Sequence, residues 1–450
     1  MDQLADNFHH VSIYNAPAGK SALYASLVDL GGGEVLCAFR TSTMDDSPKM
    51  PEGNPWTNLD DEIVCIKSFD GCRTWNADTL RPIFADPEMY DYLDVTSAPL
   101  LSDGRILLPF YQVTPDHNEG DPATWKAPLY LVRSSDRGHT WSRPERLDTR
   151  PLQSAASFGG IIRLQDGNLL LSCYGDASYA KPGVAPGMGA AGMFRSSDEG
   201  ETWGDFAYVA YEKDAEKGDG CRGVNETSTT QLGDGRLLAV SRSYYDDENY
   251  PLYQSVSEDN GYTWETRRIG LHGLCPCLRW VAQGPAGGTA VLAYHDRYLD
   301  HEQRGGIYLA FSHDCGETWG YQIYVDGGAY PCLSMPASGE MFLAWYGEQH
   351  TELKGAFFDV PFPTGIRADV GTGSVTLRWD GLADDTHTYR VHRSAHAEAA
   401  SDADTAIAEV TSAHMYTAAA VEPGASCYYV VTAWDKDEQV GKSWQVAVSV

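Results

Sequence analysis

Short apolar runs separated by Gly-centred turns recur along the first 360 positions. One such unit runs from Leu100-Leu101 through Ser102-Asp103-Gly104-Arg105 to Ile106-Leu107-Leu108. A second links Ile161-Ile162 through Gln165-Asp166-Gly167-Asn168 to Leu169-Leu170-Leu171, and a third links Gln231-Leu232 through Gly233-Asp234-Gly235 to Leu237-Leu238. Weaker versions surround Gly31 to Gly33, Gly287-Gly288 and Ser338-Gly339. An Asp-Gly pair between apolar runs predicts a β-hairpin, because both residues tolerate the positive φ that tight hairpin turns need. The pattern therefore predicts six hairpins.

Behind each of the first five hairpins lies an octet of the form Ser-x-Asp-x-Gly-x-Thr-Trp. It starts at Ser134, Ser196, Ser257 and Ser312. A further copy, Ser68 to Trp75, carries Gly71 one place early and Cys72 at the Gly position. Ser and Asp side chains can bond nearby backbone amides, Gly supplies a positive φ, and Thr-Trp opens a strand with a large apolar anchor. Five copies in register indicate an array of one supersecondary unit.

Between hairpin and octet sits a third strand, predicted at Glu62 to Lys67, Leu129 to Arg133, Met193 to Arg195, Leu252 to Val256 and Ile307 to Phe311. A four-stranded antiparallel unit repeated in this way predicts an all-β, six-bladed propeller over residues 1–362. The sixth unit has no octet, and His10 to Tyr14 is expected to supply its outer strand. Near Pro361-Phe362-Pro363 the period stops. Ser374 to Trp379, Thr388 to Arg393 and Cys427 to Ala433 then read as alternating strands with a buried Trp and a late Tyr pair. Residues 363–450 thus resemble a fibronectin type III module, a small β-sandwich.

Connectivity sorts the charged residues. In an antiparallel four-strand unit the Asp-Gly turn and the octet share one end, so the start of strand one and the end of strand two share the other. That second end collects Arg40, Asp45 and Asp46 with Asp60-Asp61, Asp94, Gln112, Asp176, Asn225-Glu226, Arg242, Arg297, Arg304, Tyr330, and Trp345 to Glu348. Converging Arg, carboxylate and Tyr side chains make this end the candidate site.

With 33 basic and 63 acidic residues the net charge is −30, which argues against nucleic acid or an anionic membrane as partner. The ten Cys show no zinc or redox spacing. His9, His10, His295 and His301 form no metal-ligand pattern, and the acidic run Tyr244 to Tyr250 lacks the spacing of a calcium loop. No metal or cofactor is expected. The first residues carry no export signal and no apolar run is long enough to span a membrane, so a cytoplasmic protein is expected, although a trimmed exported chain would read the same.

The octets resemble the Asp boxes of the sialidase superfamily, over about residues 20–360. The resemblance implies an exo-acting glycoside hydrolase that removes a terminal, acidic sugar from an oligosaccharide or glycoconjugate. By that likeness Tyr330 is the nucleophile, Glu226 takes its proton, and Asp45 or Asp46 is the acid/base. Arg40, Arg242 and Arg304 would bind a substrate carboxylate, with Asp94, Gln112, Asp176, Arg297 and Glu348 as further binders. One position departs from the family. Where its first binding Arg belongs, this chain has Leu23-Tyr24-Ala25-Ser26-Leu27, with only Lys20 near. The same scaffold also carries exo-arabinanases and lyases. In an arabinanase-like reading, Glu226 would work with Asp46, Asp94 or Asp176 while Tyr330 assists. A non-catalytic glycan-binding propeller is the third possibility.

Overall fold

The computed structural model describes residues 7–44, 61–85, 90–92, 98–113, 128–177, 189–211, 223–243, 250–283, 287–296, 305–320, 322–336, 340–381, 387–396, 405–411, 413–419, 421–422, 424 and 426–450. Among them there is no α-helix. Of the expected site residues, Asp45, Asp46, Asp94, Arg297 and Arg304 lie outside the described residues, as do Asp60 and the turn at Ser338-Gly339.

Six four-stranded antiparallel sheets follow one another, each an open ladder. The first comprises Leu23–Gly31, Glu34–Thr41, Glu62–Ser68 and Asn76–Ala85; the second, Tyr90–Tyr92, Ile106–Val113, Leu129–Ser134 and Glu145–Arg146. The third runs Ala155–Arg163, Leu169–Gly175, Ala190–Ser196 and Gly204–Tyr211; the fourth, Val224–Gln231, Leu237–Ser243, Pro251–Ser257 and Glu265–His272. The fifth runs Leu274–Val281, Thr289–Asp296, Gly306–Ser312 and Ile323–Asp326. In the sixth, Ala329–Ser334, Met341–Tyr346 and Glu352–Phe358 are completed by the N-terminal strand His9–Asn15.

Burial grades across a sheet. Leu169–Gly175 and Thr289–Asp296 are buried at every position, whereas Asn76–Ala85 and Glu265–His272 are mostly exposed. Side chains on both faces of the middle strands pack against neighbouring sheets, so these strands read as continuous apolar runs rather than alternating ones. The first strands lie side by side: Leu23–Gly31 against Ala329–Ser334, that against Leu274–Val281, then Val224–Gln231, then Ala155–Arg163.

The second sheet differs from expectation. Its first strand is Tyr90–Tyr92, while the apolar pair Leu100-Leu101 contributes only a bridge from Leu100 to Ile106. Pro99, which has no N–H to donate, stands directly before that pair.

The octets are self-contained turns. In the second, Ser134 Oγ donates to Asp136 Oδ1 at 2.8 Å and accepts from Gly138 N–H at 2.7 Å; Asp136 then accepts from the Thr140 amide and hydroxyl at 2.8 and 2.6 Å. The same bonds recur around Asp70, Asp198, Asp259 and Asp314. Gly138, Gly200, Gly261 and Gly316 have φ between 81° and 91°, and Cys72 takes the same place at 74°. A Cβ on Gly138 would lie 2.4 Å from Leu36 Cδ1 of the preceding sheet, so Gly also allows close approach.

Each octet region reaches the hairpin of the sheet before it. Arg137 meets Glu34, Glu201 meets Arg105, and Asn260 meets Asp166. In the first octet Arg73 meets Glu340 of the sixth sheet, joining the two ends of the series.

Residues beyond 363 form two further antiparallel sheets. Thr364–Gly371, Ser374–Asp380 and Met415–Ala419 make one; Ala406–Thr411, Thr388–Ser394, Ser426–Asp435 and Glu438–Lys442 make the other, with Val446–Ser449 added to Ser426–Asp435. Trp379 and Tyr389 meet between them, ring centroids 5.4 Å apart. Trp444 packs against Phe8, Phe311 and Phe358 at 5.1, 5.7 and 6.2 Å, and its Nε1 donates to Asp359 O at 2.8 Å. This apolar seam attaches the C-terminal sheets to the fifth and sixth.

Candidate active site

One backbone device builds the site. In the first strand of four sheets, three residue steps face two on the partner strand. The register runs Leu23↔Arg40 to Ser26↔Ala38, Val224↔Ser243 to Thr227↔Ser241, Leu274↔His295 to Cys277↔Ala293, and Ala329↔Tyr346 to Cys332↔Ala344. Each is a β-bulge, which unpairs one residue and re-aims its side chain. The bulged pairs are Tyr24-Ala25, Asn225-Glu226, Cys275-Pro276 and Tyr330-Pro331. Tyr24, Cys275 and Tyr330 adopt φ of 59°, 54° and 55°. Left-handed backbone at an aromatic residue is uncommon, and its recurrence at equivalent places points to a functional constraint.

The bulges of the fourth, fifth and sixth sheets converge on the Glu226 carboxylate, whose residue is only 4% exposed. Tyr330 Oη donates to Oε1 at 3.2 Å. The Cys275 N–H donates to Oε2 at 3.0 Å, and Arg242 Nη1 lies 3.2 Å from the same oxygen. Thr227 Oγ1 fixes the fourth-sheet bulge, bonding Asn225 O at 2.7 Å and Ser241 Oγ at 2.8 Å. Burial opposes the charge on Arg242, but Glu226, with Tyr330, Cys275 and Tyr174 nearby, raises its pKa above the ordinary guanidinium value. The carboxylate is therefore oriented by two donors on one oxygen, and the other oxygen faces a phenol.

Aromatic rings surround that phenol. Tyr346 stacks on Tyr330 at 5.7 Å with an interplanar angle of 20°. Tyr24 stands perpendicular to both, at 4.6 Å from Tyr330 and 5.7 Å from Tyr346. Phe158 approaches Tyr330 edge-on at 6.5 Å.

The remaining expected residues take different places. Arg40 is buried, its guanidinium 5.2 Å over the Tyr24 ring and 3.5 Å from Asp61 Oδ2. Asp176 is buried at the end of the third sheet's second strand, with its N–H on Ser154 O and its carbonyl accepting from Gln153. Gln112 is buried in the second sheet, its N–H on Pro128 O. Glu348 is exposed, and its carboxylate covers Gly327, 2.3 Å from where a Cβ would stand. Lys20 sits in a bridge with Thr43 beside the first sheet. Three features are new relative to the sequence reading: the Cys275 amide, the Tyr24 ring and the Asp61 partner of Arg40. The repeated Cys275-Pro276-Cys277 and Tyr330-Pro331-Cys332 were the available sign of equivalent bulges. Among the described residues no group of three or more His, Cys, Asp or Glu is arranged to hold a metal ion, and no helix is long and apolar enough to cross a membrane.

Comparison with known proteins agrees with this architecture. The family profile described as BNR repeat-like domain matches residues 99–343, more than half of the chain. A Dyadobacter fermentans protein of unknown function superposes with a TM-score of 0.62 at 19% identity, covering 79% of this chain and 99% of that one. A Hadza microbial sialidase gives 0.54 at 17% identity, covering 76% and 66%. The Trypanosoma rangeli sialidase in complex with sialic acid gives 0.55 at 11% identity, covering 98% and 88%. At these identities the likeness establishes the fold. Among curated proteins no significant match is found.

Proposed function

The chain belongs to the BNR repeat-like domain family, and we propose that it is an exo-acting glycoside hydrolase whose six sheets are the blades of a propeller. The octet contacts, returning from Arg73 to Glu340, support the closed ring. Residues 363–450 are read as a fibronectin type III-like module, supported by two sheets meeting at Trp379 and Tyr389.

The observation that carries the catalytic reading is the contact of Tyr330 Oη with Glu226 Oε1 at 3.2 Å. A free phenol is a weak nucleophile because its pKa lies near 10. Glu226 accepts the phenol proton on Oε1 as the oxygen attacks the anomeric carbon, while Arg242 and the Cys275 N–H hold the carboxylate's other oxygen in place. The glycosidic C–O bond breaks as the new C–O bond forms. Asp45 or Asp46 is the proposed donor of the proton taken by the leaving oxygen. Water, activated by the same residue, then releases the sugar from Tyr330. A contact of 3.2 Å is long for O–H···O and is expected to shorten when substrate is bound.

The test is covalent trapping. A fluorinated aryl glycoside, selected from a sugar panel by turnover, is expected to add one sugar mass to the peptide containing Tyr330. A label on a carboxylate peptide instead would overturn the role of Tyr330.

A further inference from the structure

We infer that Phe158 is a positioning residue for Tyr330: carried on a wide bulge of the third sheet, its ring keeps the phenol against the Glu226 carboxylate. The inference goes beyond the glycosidase reading and rests on it only for the kinetic half of its test.

This bulge is wider than those of the first, fourth, fifth and sixth sheets. The register runs Ser157↔Cys173 to Ile161↔Leu171, so Phe158, Gly159 and Gly160 together face Ser172. Gly159 and Gly160 have φ of 74° and 69°. Gly adopts two successive left-handed conformations at little steric cost, whereas a Cβ at either place brings strain. The pair also admits a close approach. A Cβ on Gly159 would stand 2.3 Å from Thr227 O and 2.8 Å from Ser228 Cα of the fourth sheet. Thr227 follows Glu226 directly, and its hydroxyl fixes the Asn225-Glu226 bulge. The third sheet therefore braces the strand that carries the carboxylate.

From the same bulge Phe158 reaches Tyr330. The third and sixth sheets are not neighbours, because the first strands of the fourth and fifth stand between theirs. Yet the two rings meet at 6.5 Å and 65°, within the range of edge-to-face pairs. Phe158 is 1% exposed and has no polar side-chain atom, so it takes no part in proton transfer. Its effect is to limit where the Tyr330 ring lies. Tyr346 stacks on that ring from within the sixth sheet and Tyr24 abuts it from the first, while Phe158 bounds it from the third. The contact of Tyr330 Oη with Glu226 Oε1 is 3.2 Å, so a small swing of the ring breaks it. A void in place of the Phe158 ring would remove packing contacts on that side and permit such a swing.

The test places a fluorotyrosine at position 330 of the full chain and follows its single fluorine resonance. Glu226→Gln should move that resonance by changing the acceptor. Phe158→Ala should shift or broaden it and abolish its response to Glu226→Gln, and Phe158→Leu should restore both. Phe110→Ala, which removes an equally buried ring from the second sheet, should do neither. If Phe158→Ala does not fold, Phe158→Val takes its place with the same expected outcomes. On an aryl glycoside that is turned over, Phe158→Ala should lower kcat at least about tenfold with KM changed less than about threefold. A resonance unmoved by Phe158→Ala, an equal shift from Phe110→Ala, or wild-type kcat in the folded Phe158 variant overturns the inference. So does a resonance that ignores Glu226→Gln in the wild-type background, since no phenol–carboxylate contact is then being held. Absence of turnover by the wild-type chain would sink the hydrolase reading and leave the resonance to decide this inference.

Discussion

Tyr330 and Glu226 lie 104 positions apart in the chain and meet at 3.2 Å because equivalent β-bulges open the sixth and fourth sheets. A third bulge, in the sheet between them, supplies the Cys275 amide that holds the carboxylate's other oxygen. The pair is thus a product of backbone register, with each partner near the start of its strand.

Arg242→Gln should destabilise the protein by about 3 kcal/mol, because it strips a buried carboxylate of its counter-charge. The double variant Arg242→Gln with Glu226→Gln should recover more than half of that loss. Urea unfolding of the two single variants and the double completes the cycle. Additive losses would show that the two residues are not coupled.

Gly138→Ala should lower stability by about 2–3 kcal/mol, since it combines a φ of 83° with a Cβ 2.4 Å from Leu36 Cδ1. The octet lies at the end of the sheets opposite Tyr330, so kcat measured well below the melting temperature should not change. A fall in kcat in a folded variant would contradict that placement.

Acid should weaken the fold through His313. Its Nδ1 lies 2.8 Å from Thr289 Oγ1, its ring meets Phe362 at 5.0 Å, and burial lowers its pKa to about 4. An unfolded-state His titrates near 6.5. Between these values the unfolded chain binds the proton and the folded chain does not, so stability falls as pH drops from about 6.5 to 4, by up to about 3 kcal/mol. His313→Asn should flatten this window in urea midpoints taken at pH 7 and 4.5. The octet carboxylates Asp136 and Asp198, held at about 2 chiefly by their Thr hydroxyl bonds, act only at lower pH.

Local chemistry made much of the fold legible. Asp-Gly turns and Ser-x-Asp-x-Gly-x-Thr-Trp octets are satisfied by bonds within a few residues, and they set strand order and register. That register places Glu226, Arg242 and Tyr330 at one end of the sheets. Two things were not local. A bulge exists only relative to a partner strand, so Tyr24 read as an ordinary strand residue although its ring meets that of Tyr330 at 4.6 Å. The ion pair of Arg40 with Asp61 joins two positions far apart in the chain, and no local pattern announces it.

The most direct test of the account is kcat/KM on a cleaved aryl glycoside for Glu226→Gln and Tyr330→Phe, each checked for wild-type folding by circular dichroism and melting temperature. Losses of at least about a hundredfold in both variants, without a comparable rise in KM, are predicted for a base and a nucleophile acting on the same bond. Wild-type turnover in either folded variant would contradict it.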